Sequence, residues 1–395
     1  MKTYLIHSGL LAFLLALATS SSFGQITQGA VFTDSLAVAE LAKANPVLGS
    51  TTEAGWVFGQ SKLGRYQEGK LVDTLAFGSV SPSRNNRMAT RVGDKFYVLS
   101  WPWPGQVIEV DLNTRQSRVL ALHAELEGVA YDIFSYGGHR GSYSPAQHAL
   151  LYYITPIGDE QDNHFNPTTI YQGGYVGKFA IEADSIVLRE VWAQRDPIYQ
   201  EKVLPHLHWA SVMAHPRTGE IYAGQAAIPT LQVLSPEGEL THTFGQRGLH
   251  IEQDTIISLP FERYTGRRES IFNLMATLYL DLYIDAEQNW LYRTYRIGKT
   301  LPIPPLVGEP SPQLPKGVNA CAYDPYLDSV SAIWYPLTYG LQIYDLNTES
   351  PQLLYDLPIG HNSAVLSVED NRVYLLGRPE DRGRWIYELT LPNND

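Results

Sequence analysis

A pattern that recurs six times is the strongest constraint on what this chain of 395 residues can fold into. Each copy has a polar residue, a short run of small and apolar residues, a turn carrying Asp, Pro, Gly or Asn, and then a stronger aromatic strand. The copies are "RNNRMATRVGDKFYVLSW" from Arg84, "GHRGSYSPAQHALLYYI" from Gly138, "HLHWASVMAHPRTGEIYAG" from His206, "MATLYLDLYIDAEQNWLYRTY" from Met275, "GVNACAYDPYLDSVSAIWY" from Gly317 and "GHNSAVLSVEDNRVYLLG" from Gly360. Their starts lie about 40 to about 70 residues apart, the scale of propeller repeats with insertions.

A second hairpin follows most copies: "GQVIEVDLNTRQSRVLAL", "GYVGKFAIEADSIVLREVWA", "TLQVLSPEGELTHTFG" and "YGLQIYDLNTESPQLLYDL". Two hairpins per copy make a four-stranded antiparallel meander. So small a sheet cannot bury both faces alone, and radial stacking on its neighbours solves this. The expectation is an all-β, six-bladed β-propeller over residues 53–395, preceded by a lead-in over 25–52. The last copy ends one strand short at "GRWIYELTLPNND", so the hairpin "GWVFGQSKLGRYQEGKLVDTLAFG" is expected to complete that blade and close the ring. One unit fits poorly. After "NWLYRTYRIG" comes the proline-rich "KTLPIPPLVGEPSPQLPKG", which cannot supply a central ladder. Either that blade is truncated or "GVNACAYDP" is its outer hairpin, which leaves five or seven blades compatible with the pattern.

Composition agrees with a large strand-rich core: 44% hydrophobic residues, only 18% charged, and 25 tyrosines that suit half-buried strands. A formal charge of −12 opposes a phosphate-binding face, so no nucleic-acid partner is expected. Residues 1–24 read as a signal peptide, with Lys2, an apolar run centred on Leu10 to Ala18, and small residues before a cut after Gly24. The run is short for a membrane span and no Cys follows it, so a soluble exported monomer without a membrane anchor is expected, periplasmic or extracellular. The single cysteine, Cys321, cannot form an intramolecular disulfide, and its alanine neighbours suit a buried core thiol.

"LQVLSPEGELTHTFGQRG", Leu231 to Gly248, resembles an NHL-type propeller repeat, with its apolar strand, glycine turn and closing "FGQRG". With the exported six-unit plan, the chain resembles the six-bladed propellers of the NHL/TolB-like superfamily, including uncharacterised exported bacterial families. That resemblance implies a fold and hardly constrains a function. The short "EGVAYD" also resembles metal-dependent lactonase propellers, but the remaining ligands of such a site have no counterparts in order along this chain.

Arg87, His139, His208, Asn319 and His361 fall near the starts of the presumed innermost strands, so in a ring they converge at one mouth of the channel. They either bind a ligand there or solvate the channel. His206 and His208 share a strand face and could grip a divalent metal; His215, seven residues on and roughly 23 Å away along a straight strand at about 3.3 Å per residue, belongs to a turn. No cofactor is otherwise implied. Asp281 lies inside an apolar innermost strand and, if buried, needs a partner, which makes it the acid candidate. Asp285 suits a turn, and nothing in the sequence picks out the acid that would oppose Asp281 in a glycosidase-like pair, Glu125 and Glu127 being candidates that do not align with the repeat. Trp101 and Trp103 in "SWPWPGQ" are loop binding candidates, and "GDEQDNHFNPTTIYQGG" is a long polar insertion of the kind that carries function on a rigid scaffold. The best reading is a non-catalytic propeller that binds a small molecule, glycan or protein partner. Its alternative is a hydrolase or lyase acting on a carbohydrate or lactone, and an envelope assembly platform is a third.

Overall fold

The computed structural model describes residues 31–37, 56–58, 62–67, 70–76, 85–101, 106–133, 141–157, 173–201, 209–251, 276–298, 338–360, 362–369, 371–377 and 385–392. In chain order the strands are β1 (Val31–Ala37); β2 (Trp56–Phe58), β3 (Lys62–Gln67) and β4 (Lys70–Ala76); β5 (Asn85–Val92), β6 (Lys95–Trp101), β7 (Gln106–Asp111) and β8 (Ser117–His123); and the hairpin β9 (Glu125–Leu126) and β10 (Val129–Ile133). There follow β11 (Ser142–Ser144), β12 (Ala149–Pro156), β13 (Gly174–Ile181) and β14 (Ser185–Gln194), a single helical turn α1 (Ile198–Glu201), and β15 (Ala210–Ala214), β16 (Ile221–Gln225), β17 (Leu231–Leu234) and β18 (Leu240–Phe244). The last are β19 (Leu278–Asp285), β20 (Trp290–Arg296), β21 (Tyr339–Asp345), β22 (Gln352–Gly360), β23 (Asn362–Glu369), β24 (Arg372–Gly377) and β25 (Trp385–Thr390).

The fold is all-β, and its repeating unit is the four-stranded antiparallel meander. β15–β18 and β19–β22 each form one, while β5–β8 and β11–β14 merge into a ten-stranded sheet through a short parallel pairing of β8 with β14. Polar turns separate the strands for identifiable reasons. In both "DLNT" segments the aspartate replaces a glycine turn: Asp111 Oδ1 accepts from the backbone N–H of Asn113 and Thr114, and Asp345 Oδ1 from that of Asn347.

Sheets stack face to face because successive residues of a strand feed opposite apolar layers. On β12, Leu150, Tyr152 and Ile154 join the layer shared with β5–β8, and Leu151 and Tyr153 the layer shared with β15–β18. On β15 and β16, Val212 and Ile221 face β11–β14, and Met213 and Tyr222 face β19–β22. Tyr283, Leu341 and Ile343 then pack on Val365 and Val373. The β2–β4 sheet packs Trp56, Leu63 and Leu75 on Phe96 and Val98 of β6, while its Leu71 lies against Leu366, Tyr374 and Ile386 of the β23–β25 sheet. Each large side chain buried this way contributes about 1.5–3 kcal/mol.

Two expectations about strand pairing need correction. The strand that completes β23–β24–β25 is β1, pairing antiparallel with β25 from Val31↔Thr390 to Ala37↔Trp385, and not the hairpin that follows it. That hairpin pairs only with itself as β2–β3–β4. Both segments can form strands, but only one can occupy a given edge. The second correction concerns the proline-rich unit. Its outer hairpin is β21–β22, paired to β20 from Trp290↔Asp345 to Arg296↔Tyr339, so neither a truncated blade nor "GVNACAYDP" is required. Residues 299–337 are a sequence insertion between paired strands and lie outside the described residues.

The first strands of the meanders carry small polar residues in buried positions: Thr90, Ser142, Ser144, Ser211 and Ser367. Strands that converge leave little room for side chains. At Gly141, just before β11, any Cβ would overlap Thr90 Oγ1 of β5 and the ring of Tyr152. Ser142 Oγ accepts from the Ala214 N–H at 2.8 Å and so joins β11 to β15.

Candidate functional site

Antiparallel pairing puts the starts of first and third strands, and the ends of second and fourth strands, at one end of every sheet. Register fixes this end through the pairs Gly174↔Gln194, Ala210↔Gln225, Leu231↔Phe244, Leu278↔Arg296 and Tyr339↔Gly360. It is the end at which the innermost strands begin. The buried arginines Arg195, Arg293 and Arg296, with Gln225, Thr277, Asp281 and Asp356, all lie within a few residues of it.

Two residues singled out from the sequence occupy β-bulges there. In β5 the register steps from Asn86↔Ser100 to Met88↔Leu99, which leaves Arg87 as the extra residue. In β19 it steps from Tyr279↔Tyr295 to Leu282↔Arg293, so that Leu280 and Asp281 oppose Thr294 alone. A bulge re-aims a side chain out of the regular alternation, and bulges gather beside functional sites. Asp281 is only 2% exposed, and its N–H meets Thr294 Oγ1 at 3.3 Å. Among the described residues it is the only buried carboxylate on an innermost strand. β23 is irregular too, with shifts between Asn362 and Ala364 and between Val365 and Ser367.

The described structure includes the backbone of Arg87 and of Trp101, the last residue of β6, but not their side chains. Trp103, His139, His206, His208, Asn319, Cys321 and His361, with most of the insertion from Gly158, lie outside the described residues. His215 takes the turn position expected of it: Nδ1 accepts from the N–H of Arg217 and Thr218, and Nε2 lies 2.7 Å from Asn289 Oδ1. Asp285 also holds a turn, its Oδ1 accepting from the Glu287 N–H at 2.8 Å. Glu125 and Glu127 are exposed in the β9–β10 hairpin, where Glu127 has a left-handed φ of 51°. Among the described residues no group of three His, Cys, Asp or Glu side chains is placed to hold a metal ion.

Sequence reasoning passed over a second polar centre at the same end. Asp356, fully buried on β22, receives the Tyr295 hydroxyl on Oδ1 at 2.6 Å, and the Leu249 N–H and Gln342 Nε2 on Oδ2 at 2.9 and 3.1 Å. His250 Nε2 lies 3.0 Å from the Asp356 carbonyl oxygen and 3.9 Å from Oδ1. Burial pushes the Asp356 carboxyl above the usual carboxylate range, against the lowering effect of its donors. Burial, and then the neighbouring Asp356 charge, pushes the Tyr295 phenol up in turn. An aspartate between apolar residues in "LYDLP" was the available signal. The donors come from three separate segments, and no spacing announces that.

No protein-family model matches the sequence, and no curated protein matches it. Among solved structures the chain is similar to a member of the DUF4221 family from Bacteroides vulgatus, at 8% identity over 92% of this chain and 98% of that one, with a TM-score of 0.41. It is similar to a luciferin-regenerating enzyme at 10% identity over 92% and 96%, TM-score 0.42, and to virginiamycin B lyase from Staphylococcus aureus at 9% identity over 85% and 76%, TM-score 0.37. These neighbours are propeller-type folds. Likeness at this level says nothing about activity, so function has to come from this chain's own geometry.

Proposed function

We propose that the protein is an exported six-unit β-propeller that binds a small polar ligand or a protein partner at the mouth where its innermost strands begin, without catalysing a reaction. The ring is supported by the sequence of shared apolar layers, which runs from β2–β4 through each meander to β23–β25 and returns to β2–β4 through Leu71. Export is supported by the composition of residues 2–24.

The observation that carries the binding role is the pair of bulges that set apart Arg87 and Asp281 at the same end of two innermost strands. In sequence, His208 stands two residues before β15, His361 one before β23 and His139 three before β11, so all three adjoin strand starts at that end and their imidazoles would add to such a mouth. Opposite charges and imidazoles around one opening suit recognition of a polar molecule. Catalysis of glycoside cleavage would need a second acid facing Asp281; Glu125 and Glu127, the pair considered for that role, are exposed in a hairpin.

The test is calorimetric titration of the purified protein with the hits of a thermal-shift panel of sugars, lactones and small polar metabolites, alongside Asp281→Asn and Arg87→Ala. Binding without turnover is expected, at least tenfold weaker in both variants. Product formation from a glycan or lactone, abolished by Asp281→Asn, would establish the enzyme in its place.

A further inference from the structure

At ten residues β14 is the longest strand of the described structure, and its two edges are used unequally. On one side its ladder with β13 runs from Ile181↔Ile186 to Gly174↔Gln194. On the other, only Ser185, Ile186 and Val187 are paired, in parallel with Ala121, Leu122 and His123 of β8. β8 then leaves for the β9–β10 hairpin, and no strand of the described structure pairs with the outer edge of β14 from Leu188 to Gln194. A long edge with unpaired N–H and C=O groups is a place where another extended chain can add.

That edge borders a cleft of about 670 Å³ between β14 and the β17–β18 hairpin. Residues 191–197 line it in unbroken succession. A sheet face presents only every second residue, so an unbroken run brings main-chain groups within reach of the cleft. Gly173 and Gly174 add two lining positions without side chains. The cleft follows the strands: Gly174↔Gln194 stands at the end where innermost strands begin, and Leu234↔Leu240 beside the β17–β18 turn at the other. Leu240, on the far wall, is the most exposed large apolar residue described, at 59%. One carbonyl of β14 is already read across the cleft, since Gln232 Nε2 donates to the Gln194 oxygen at 2.6 Å. Arg195 and Asp196 give one end of the lining a charge of each sign, which favours an uncharged main chain over an anion or a cation.

We propose that this cleft takes an extended peptide segment of a partner protein, added to β14 as a further strand beyond the point where β8 leaves it, with apolar side chains of the peptide against Leu234 and Leu240. The site continues a pairing the fold already contains, β8 on β14, and does not depend on the reading of the mouth. Selection of a phage-displayed random dodecapeptide library on the full purified chain supplies the probes. Each enriched peptide is synthesised twice, once unmodified and once with alternate backbone nitrogens methylated so that it cannot add as a strand. Saturable binding is expected by fluorescence anisotropy, at least tenfold weaker after methylation. Bound peptide should slow hydrogen exchange of the outer-edge amides within 188–194. Leu240→Lys, at an exposed position, should weaken binding at least tenfold and leave the melting temperature unchanged. A selection that enriches nothing, amide protection elsewhere, or binding indifferent to methylation or to Leu240→Lys would overturn the proposal. So would protection of 188–194 by maltohexaose and not by peptide, which would assign the cleft to a glycan.

Discussion

His215 Nε2 and Asn289 Oδ1 meet at 2.7 Å across the gap between two sheets, joining the β15–β16 turn to the β19–β20 turn. Asn289 passes the link on, its Nδ2 donating to Asn347 Oδ1 at 3.0 Å in the β21–β22 turn. Nδ1 of His215 already accepts two backbone N–H groups, so the neutral ring with its proton on Nε2 satisfies every partner. Burial holds the His215 pKa below its ordinary value. Below about pH 6.5 the unfolded chain therefore takes up a proton that the folded one resists, and stability falls with pH in that window. Urea unfolding from pH 8 to pH 5 should show a plateau above neutrality and a decline below it. Asn289→Gly, which keeps the left-handed φ of 60° at that position, should cost about 1–3 kcal/mol by leaving the buried ring N–H unpaired.

Asp356 supplies a contrast between charge and geometry. Its Oδ2 accepts two N–H donors, and the amide of Asp356→Asn can offer one oxygen only. Although the substitution removes a buried charge, a loss of about 1–3 kcal/mol is expected because an amide would face a donor. Tyr295→Phe, which removes one bond to Oδ1, should cost less. Equilibrium unfolding of the two variants checks the order.

The pairing of β1 with β25 has a direct consequence. Deleting residues 25–37 would leave the outer edge of β25 unpaired, an exposed template for other chains. A lower melting temperature, earlier proteolysis within 362–392 and concentration-dependent aggregation are expected. An unchanged melting curve and a monomeric elution volume would show that the fold does not depend on that strand.

Gly141→Ala tests how closely the innermost strands converge. The added methyl group would overlap Thr90 and Tyr152, one a strand neighbour at the hub and the other a fully buried ring. Overpacking there should destabilise by about 1–3 kcal/mol, read from the shift in denaturant midpoint. A neutral result would mean that the first two meanders can separate.

The alternation of apolar residues within each copy determined which segments are strands and which of their faces are buried, since side-chain direction in a strand is a local property with a period of two. Turn chemistry was equally local, and Asp285 and His215 take the turn positions assigned to them. Asp281 could be picked out because an acid within an apolar strand conflicts with its surroundings.

Pairing between distant segments was decided only in three dimensions. β1 and the β2–β3 hairpin have similar strand-forming character, but only one segment can occupy the edge of β25: β1 pairs there, while the β2–β4 sheet packs on β6. The proline-rich insertion hid the union of β20 with β21 for the same reason: hydrogen bonds between strands do not depend on the length of chain joining them. Arg293 and Asp356 were illegible because their partners, Ile228, Pro229, Leu249 and Tyr295, come from other strands and loops. A buried polar group is defined by what surrounds it, and that is known only once the sheets have packed.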